Sequence, residues 1–302
     1  MAPLTVKPDW EREGRNWPNR ATSRFVHAGG LRWHVQMMGE GPPLLLLHGT
    51  GAATHSWRDL GPMLARDFRV IAPDLPGHGF TDTPRREQLS LGGMVRSLTE
   101  LMATLNVRPD LAVGHSAGAA VALRLLLHER IGSGGVVSLN GALLPFPGAA
   151  GVVLPVVAKA LFLNPLANQM FAWRAGLPGA VSKLIESTGS TIDPAGLEFY
   201  ERLFRTTGHI AGALGMMAHW DLNPLIADLP ALTTPLTLVA AENDRAVPHW
   251  VGERIASLTP DSKLITLPRL GHLAHEERPQ QVAEIIRQAL RRPAQAGRER
   301  AR

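Results

Sequence analysis

Six short apolar runs recur along this chain and constrain its fold more than any other feature: Pro43–Leu47, Arg69–Pro73, Leu111–Gly114, Gly135–Leu139, Pro235–Ala240 and Lys263–Leu267. Runs of this length suit strands covered on both faces of a parallel sheet, since polar and apolar residues alternate only when one face meets water. Between most of them, Trp57–Ala65, Met94–Leu105, Ala117–His128, Val251–Leu258 and Pro279–Leu290 carry apolar residues at helical spacing. Strand–helix alternation predicts a doubly wound, mostly parallel α/β sheet with right-handed crossovers. Ahead of it, Arg24–Val26 and Leu31–Met37 alternate around Gly29-Gly30, a hairpin signal.

One interval breaks the rhythm. Between Leu139 and Pro235 there is no apolar strand run, only helical segments rich in Leu, Met, Phe and Trp and punctuated by Pro155, Pro165, Pro178 and Pro194. Inserted after the sixth strand, such a segment must sit at one edge or end of the sheet, as a helical lid. The expected organisation is a polar arm over 1–23, whose Trp10 and Trp17 pack onto the body, and a core of 24–140 and 223–290. A lid over 141–222 and a basic tail over 291–302 complete it.

The chain of 302 residues contains no cysteine, which excludes disulfides, thiolate metal sites and a cysteine nucleophile, and fits a reducing compartment. Its net charge of +5 does not make it a nucleic-acid binder. Five arginines of the tail (Arg291, Arg292, Arg298, Arg300, Arg302) face only Glu299, so the rest of the chain is close to neutral. A basic end of this kind is a solvated tail with weak attraction for anionic lipid or an acidic partner. Met1 leads into Lys7, Asp9, Glu11 and Arg12 rather than an apolar stretch, so no signal peptide is expected. The most apolar stretch, Ala142–Leu163, contains Pro145, Pro147, Pro155 and Lys159 and is a poor spanning helix, which needs about 20 apolar residues. The expected location is cytoplasmic, with any membrane contact peripheral to the inner membrane and carried by that stretch.

Gly114-His115-Ser116-Ala117-Gly118 directly follows one predicted strand and opens a helix. In that context G-x-S-x-G marks a nucleophile: the serine sits on a sharp strand-to-helix turn, and glycines flank it because side chains there would clash. The helix N-terminus favours negative charge developing beside it. His48-Gly49-Thr50-Gly51 follows the strand Pro43–Leu47. The loop after that strand and the residue after the nucleophile supply the oxyanion donors in this architecture, so the backbone N–H groups of Thr50 and Ala117 are assigned to it. The Thr50 hydroxyl is a third candidate donor, and His48 is read as a structural hydrogen-bonder.

A serine hydroxyl needs a base, and twelve histidines compete for that role. The order expected on this architecture is serine, acid, histidine, which leaves the loops after the last two strands. Glu242-Asn243-Asp244 and Gly271-His272 stand there, at C-terminal strand ends where α/β sheets bind ligands. Asp244 is expected to orient His272, with Glu242 as the weaker rival for the acid. His275 lies one helical turn beyond His272, but the segment lacks a zincin glutamate and a third ligand, so no metal and no cofactor are expected. Asp74-Leu75-Pro76-Gly77-His78-Gly79 reads as a shaped supporting turn, with contact of His78 or Asp82 to substrate a minor alternative. His115, Met216, Met217 and Trp220 are the candidates for touching substrate, although residues such as Phe171, Trp173, Met216, Met217 and Trp220 more commonly form lid core. His209 and His219 read as satisfied lid histidines, and Trp57 as core.

Taken together, His48–Gly51, Asp74–Gly79, Gly114–Gly118, Asn243-Asp244 and Gly271-His272 resemble the α/β-hydrolase superfamily over nearly the whole chain. Gly14–Pro18, Ser23–Val26, Gly29–Val35 and Gly215–Leu222 are similar to a narrower group, the magnesium-chelatase-associated α/β hydrolases of bacteriochlorophyll biosynthesis in phototrophic bacteria. That resemblance implies a role near magnesium insertion into protoporphyrin and contact with chelatase subunits. The residues themselves imply hydrolysis of an ester or related acyl bond in a small apolar substrate. Dehalogenases and epoxide hydrolases need an aspartate at Ser116, and the latter want lid tyrosines where Tyr200 is the only tyrosine. Carbon–carbon bond hydrolases and cofactor-free lyases keep the serine and stay open. The rival reading is a non-catalytic accessory factor that carries a tetrapyrrole in an apolar, chargeless pocket under the lid.

Overall fold

A computed structural model of the chain describes residues 6–145, 157, 159–259 and 261–290. Eight strands form one sheet: β1 (Ser23–Ala28), β2 (Leu31–Met38), β3 (Pro43–Leu47), β4 (Arg69–Pro73), β5 (Leu111–His115), β6 (Gly135–Leu139), β7 (Leu236–Ala241) and β8 (Ser262–Leu267). Their order is β1-β2-β4-β3-β5-β6-β7-β8. β1 and β2 pair antiparallel, β2 meets β4 antiparallel, and every later pairing is parallel. The β1–β2 hairpin turns on Gly29 and Gly30, both at positive φ, which a two-residue turn with this twist requires.

Successive residues of a strand point to opposite faces, so wholly apolar strands feed two cores at once. Leu45 and Leu47 of β3 join the core that holds Met94, Leu98 and Leu101 of α2 (Leu91–Thr104) and Val121 of α3 (Ala117–Leu127). Leu44 and Leu46 join the opposite core, with Leu60 and Leu64 of α1 (Leu60–Leu64) and Val282 and Ile286 of the last helix, Pro279–Leu290. Every residue of β5, β6 and β7 is buried. The exception is β8: although the helix Trp250–Leu258 packs against it, Lys263 and Thr266, on opposite faces of this edge strand, are exposed. The expectation of burial on both faces fails there.

The arm lies on the body rather than apart from it. Trp17 is buried and its indole N–H donates to Thr54 Oγ1 at 2.9 Å, while Trp10 packs edge-on to Phe25 and Phe80. Between β6 and β7 the described residues form helices and no strand. They include α4 (Pro165–Ala175), α5 (Ala180–Ser187), α6 (Pro194–Phe204) and α7 (Thr207–Ala218). Asn164 and Asp193 cap α4 and α6 through their side chains, each followed by a proline that needs no N–H acceptor. Of the apolar stretch Ala142–Leu163, residues 146–156 and 158 lie outside the described residues, as does the basic tail 291–302. Among the described residues no helix is long and apolar enough to cross a membrane.

Candidate active site

Ser116 stands between β5 and α3 with φ 52° and ψ −120°, in the left-handed half of backbone space that a β-carbon disfavours. The chain holds it there by close backbone packing. A side chain at Gly114 would run into the Ala119 backbone, and one at Gly118 into the Leu47 carbonyl. A β-carbon on Gly49 would come within 2.9 Å of Ser116 Cβ, so the loop after β3 lies directly against the serine. This loop is rigid at its base: His48 Nδ1–H donates to the Gly49 carbonyl at 2.8 Å, and its Nε2 accepts the Leu75 N–H at 2.8 Å. Burial lowers the His48 pKa, in keeping with a neutral ring that both donates and accepts.

Among the described residues the Thr50 N–H has no acceptor, and the Ala117 N–H, first in its helix, has no intrahelical one. Both flank Ser116. The Thr50 hydroxyl is turned elsewhere, donating to the Met216 sulfur at 3.3 Å.

His272 and Asp244 meet across the ends of β7 and β8. His272 Nδ1–H donates to Asp244 Oδ2 at 2.7 Å, and Asp244 Oδ1 accepts the N–H groups of Ala246 and Val247 at 2.8 and 2.7 Å. Both carboxylate oxygens are therefore committed. With Nδ1 donating, His272 Nε2 is left as the acceptor, and His272 and Ser116 line one cavity. Among the described residues no hydrogen bond joins Ser116 to the ring; such contacts tighten when substrate binds. Glu242 is exposed and meets the Arg269 N–H, far from the acid's role.

Several residues that hold this loop carry no motif. Asn140, at φ 47°, donates from Nδ2 to the carbonyls of His272 (2.8 Å) and Gly271 (3.0 Å) and accepts the Ala241 N–H at 2.9 Å. Ser190, from the inserted helices, accepts the Leu273 N–H at 2.7 Å. A side chain at Gly271 would strike the backbone of Gly189 and Ser190. Only the lone polar residue ending an apolar strand marked Asn140 in the sequence.

The Asp74 turn is support, not site. Burial would push its carboxyl up, but the His34 ring and the amides of Thr54 and Phe80 hold it far below the usual carboxylate range. His78 is buried, and Asp82 is taken by Lys7 and the Arg32 N–H. His209 bridges Gly51 and Gly79 instead of pairing with His219, which donates to the Gly215 carbonyl. Beside the site, buried Glu276 accepts from the Tyr200 hydroxyl at 2.6 Å and pairs with Arg58.

The cavity has a volume of about 770 Å³. Its lining joins Thr50, Ser116 and His272 to Phe171, Phe204, Ile210 and Leu214 of the inserted helices. Of the residues expected to touch substrate, His115 and Met217 line it. His115 is nonetheless buried, its Nε2–H spent on the His272 carbonyl at 2.9 Å. Met216 and Trp220 do not line it: Met216 is fully buried in the core, and Trp220 packs against that core. Nor is the lining chargeless, because Arg174 and Lys183 belong to it.

The fold and this arrangement define the class. The chain belongs to the alpha/beta hydrolase family, whose model matches residues 44–285. It is similar to the magnesium-chelatase 30 kDa subunit of Rhodobacter capsulatus, 42% identical over 269 residues, which span 86% of this chain and 92% of that one. It is also similar to the 2-hydroxy-6-oxo-6-(2'-aminophenyl)hexa-2,4-dienoic acid hydrolase of Metapseudomonas resinovorans, 30% identical over 281 residues, covering 90% and 91% of the two chains. Among solved structures, an alpha/beta hydrolase fold protein from Burkholderia ambifaria superposes with a TM-score of 0.73 at 25% identity, over 88% of this chain and 97% of that one.

Proposed function

We propose that the protein is a serine hydrolase that cleaves an ester or related acyl bond in an apolar substrate, at or near the magnesium chelatase step of bacteriochlorophyll synthesis. The observation that carries the chemistry is the shared cavity: Ser116, strained at its turn, and His272, oriented by Asp244, both face it. In this reading Ser116 Oγ bonds to the substrate carbonyl carbon while its proton passes to His272 Nε2. The oxyanion sits on the Thr50 and Ala117 N–H groups, and His272 returns the proton to the leaving group. Water, activated by the same ring, then releases the acid. Losing one oxyanion donor costs about 2.7–4 kcal/mol of barrier, so the fixed position of the Thr50 loop matters. The pathway rests on similarity to the Rhodobacter capsulatus magnesium-chelatase 30 kDa subunit.

Labelling by a fluorophosphonate probe tests the chemistry. The modified residue is expected to be Ser116, followed by turnover of apolar acyl esters ahead of short charged ones. Absence of labelling in the folded protein would overturn the reading. The cavity's size and apolar walls favour one rival, a carrier of a flat hydrophobic ring that leaves the serine idle. Pigment accumulation in the native host separates the two: Ser116→Ala should lower it, whereas a carrier would tolerate that change.

A further inference from the structure

The outer surface of the inserted helices carries an apolar stripe for which the site has no use. On α4, Leu166, Met170 and Trp173 recur at positions i, i+4 and i+7, and Leu177 continues the line past the helix end. All four stand in solvent, Leu166 and Trp173 with 69% and 68% of their surface exposed. Leu163 before the helix and Leu184 on α5 are also exposed. The inward side of α4 holds the buried Ala167, Asn168 and Ala172, with Phe171 turned to the cavity. Isolated exposed hydrophobics are ordinary, but large apolar side chains set in line along one helix, all in solvent, form a patch suited to meet something apolar.

Charge is sorted in the same place. From Arg130 to Ile185 the chain has no Asp or Glu, while Lys159, Arg174 and Lys183 stand exposed around the stripe. Neighbouring α6 is different: Arg202 and Arg205 are matched at i,i+4 by Glu198 and Glu201. Arg174 and Lys183 have no ion-pair partner among the described residues. Because exposed Arg174, Lys183 and Leu184 also line the cavity, it reaches the surface beside the stripe.

We propose that this face docks on an anionic phospholipid surface. Leu166, Met170 and Trp173 enter the boundary between headgroups and acyl chains, and Lys159, Arg174 and Lys183 meet lipid phosphates. Exposed Leu, Met and Trp side chains ringed by cations suit the headgroup boundary of an anionic membrane, and Trp settles at that depth. Each basic residue near such a surface strengthens binding about fivefold at moderate salt. A second copy of the chain fits less well, since a symmetric contact sets like patches together and here sets cations against cations. Docking would turn the cavity mouth toward the bilayer, giving a membrane-dissolved substrate a path to Ser116. That route rests on the hydrolase reading; the docking does not.

The test uses the whole chain and sedimented vesicles of phosphatidylcholine, with and without phosphatidylglycerol. Binding is expected to be at least about tenfold tighter with the anionic lipid and to weaken with salt. The double variant Leu166→Glu/Trp173→Glu should lose at least tenfold in affinity while keeping its thermal melt and its turnover of a water-soluble ester. Trp173→Phe keeps the apolar area, so it should still bind yet lose much of the quenching by brominated lipid. Wild-type protein left in the supernatant, or a double variant that binds as well as wild type, overturns the proposal. A dimer in mass photometry that the double variant dissolves overturns it too, making the face a contact between copies. Docking without ester turnover would leave this proposal standing and remove the hydrolase reading.

Discussion

Asn140 Nδ2 donates to the His272 carbonyl at 2.8 Å, so the end of β6 pins the loop that carries the candidate base. The same side chain holds Gly271 and, through Oδ1, the Ala241 N–H at the end of β7. One side chain thus ties the His272 loop to the strand end that leads into the Asp244 loop. Asn140→Asp keeps the acceptor but sets an anion against two carbonyls. It should destabilise the fold by about 3 kcal/mol, near the upper end for unpaired buried groups, and lower kcat more than it changes KM. Urea unfolding with ester kinetics checks this; an unchanged kcat in Asn140→Asp would show that the pin does not matter.

Ser116→Ala removes one hydroxyl from a turn whose strain lies in its backbone, so stability should hold within about 0.5 kcal/mol. Probe labelling should vanish and kcat should fall by about 10³-fold or more. Asp244→Asn should cost less than Ser116→Ala or His272→Ala, because the carboxylate orients the base without taking part in bond making. Equal losses in Asp244→Asn and Ser116→Ala would contradict these roles.

Arg174 and Lys183 line the cavity from exposed helix positions. Substrates with an apolar acyl body and a carboxylate at the far end should meet them at the mouth. Arg174→Gln with Lys183→Gln should raise KM severalfold for such esters, in line with about 1 kcal/mol for an exposed pair, and leave kcat alone. Uncharged esters are the control. If both ester types respond alike, the cations play no part in recognition.

Burial holds a group of histidines neutral: His209 is pushed down to about 4 and His275 to about 3, and His48, His55, His78 and His115 are lowered as well. In the unfolded chain these rings return to about 6.5. Between the two values the unfolded state binds more protons, so stability present above pH 6.5 is lost as pH falls through that window. Each ring contributes about 1.4 kcal/mol per pH unit there. Urea midpoints at stepped pH should fall steeply from neutrality, and His209→Gln should flatten the slope by one proton. A midpoint that does not move between pH 7 and pH 5 would mean these rings are not neutral in the fold.

The doubly wound sheet, the sharp turn at Ser116, and the strand-end loops that carry Asp244 and His272 were legible in the chain because each rests on local chemistry. A buried strand shows as a short apolar run, and a serine at positive φ needs Gly114 and Gly118 beside it. Nearest neighbours in sequence decide such things. What only the tertiary structure decided are relations between distant segments. β8 reads like the other strands, yet its place at the edge exposes Lys263 and Thr266. Met216 and Met217 are adjacent in sequence, but a helix turns neighbours about 100° apart, so one is buried under Thr50 while the other lines the cavity. Asn140 and Ser190 bond main-chain groups around the His272 loop, and a main-chain partner leaves no trace in residue type. α4 carries apolar residues on all sides, so its sequence does not say which side meets water until the packing of its neighbours fixes it. Local sterics can be read from the chain; which surfaces face each other depends on how all the elements pack.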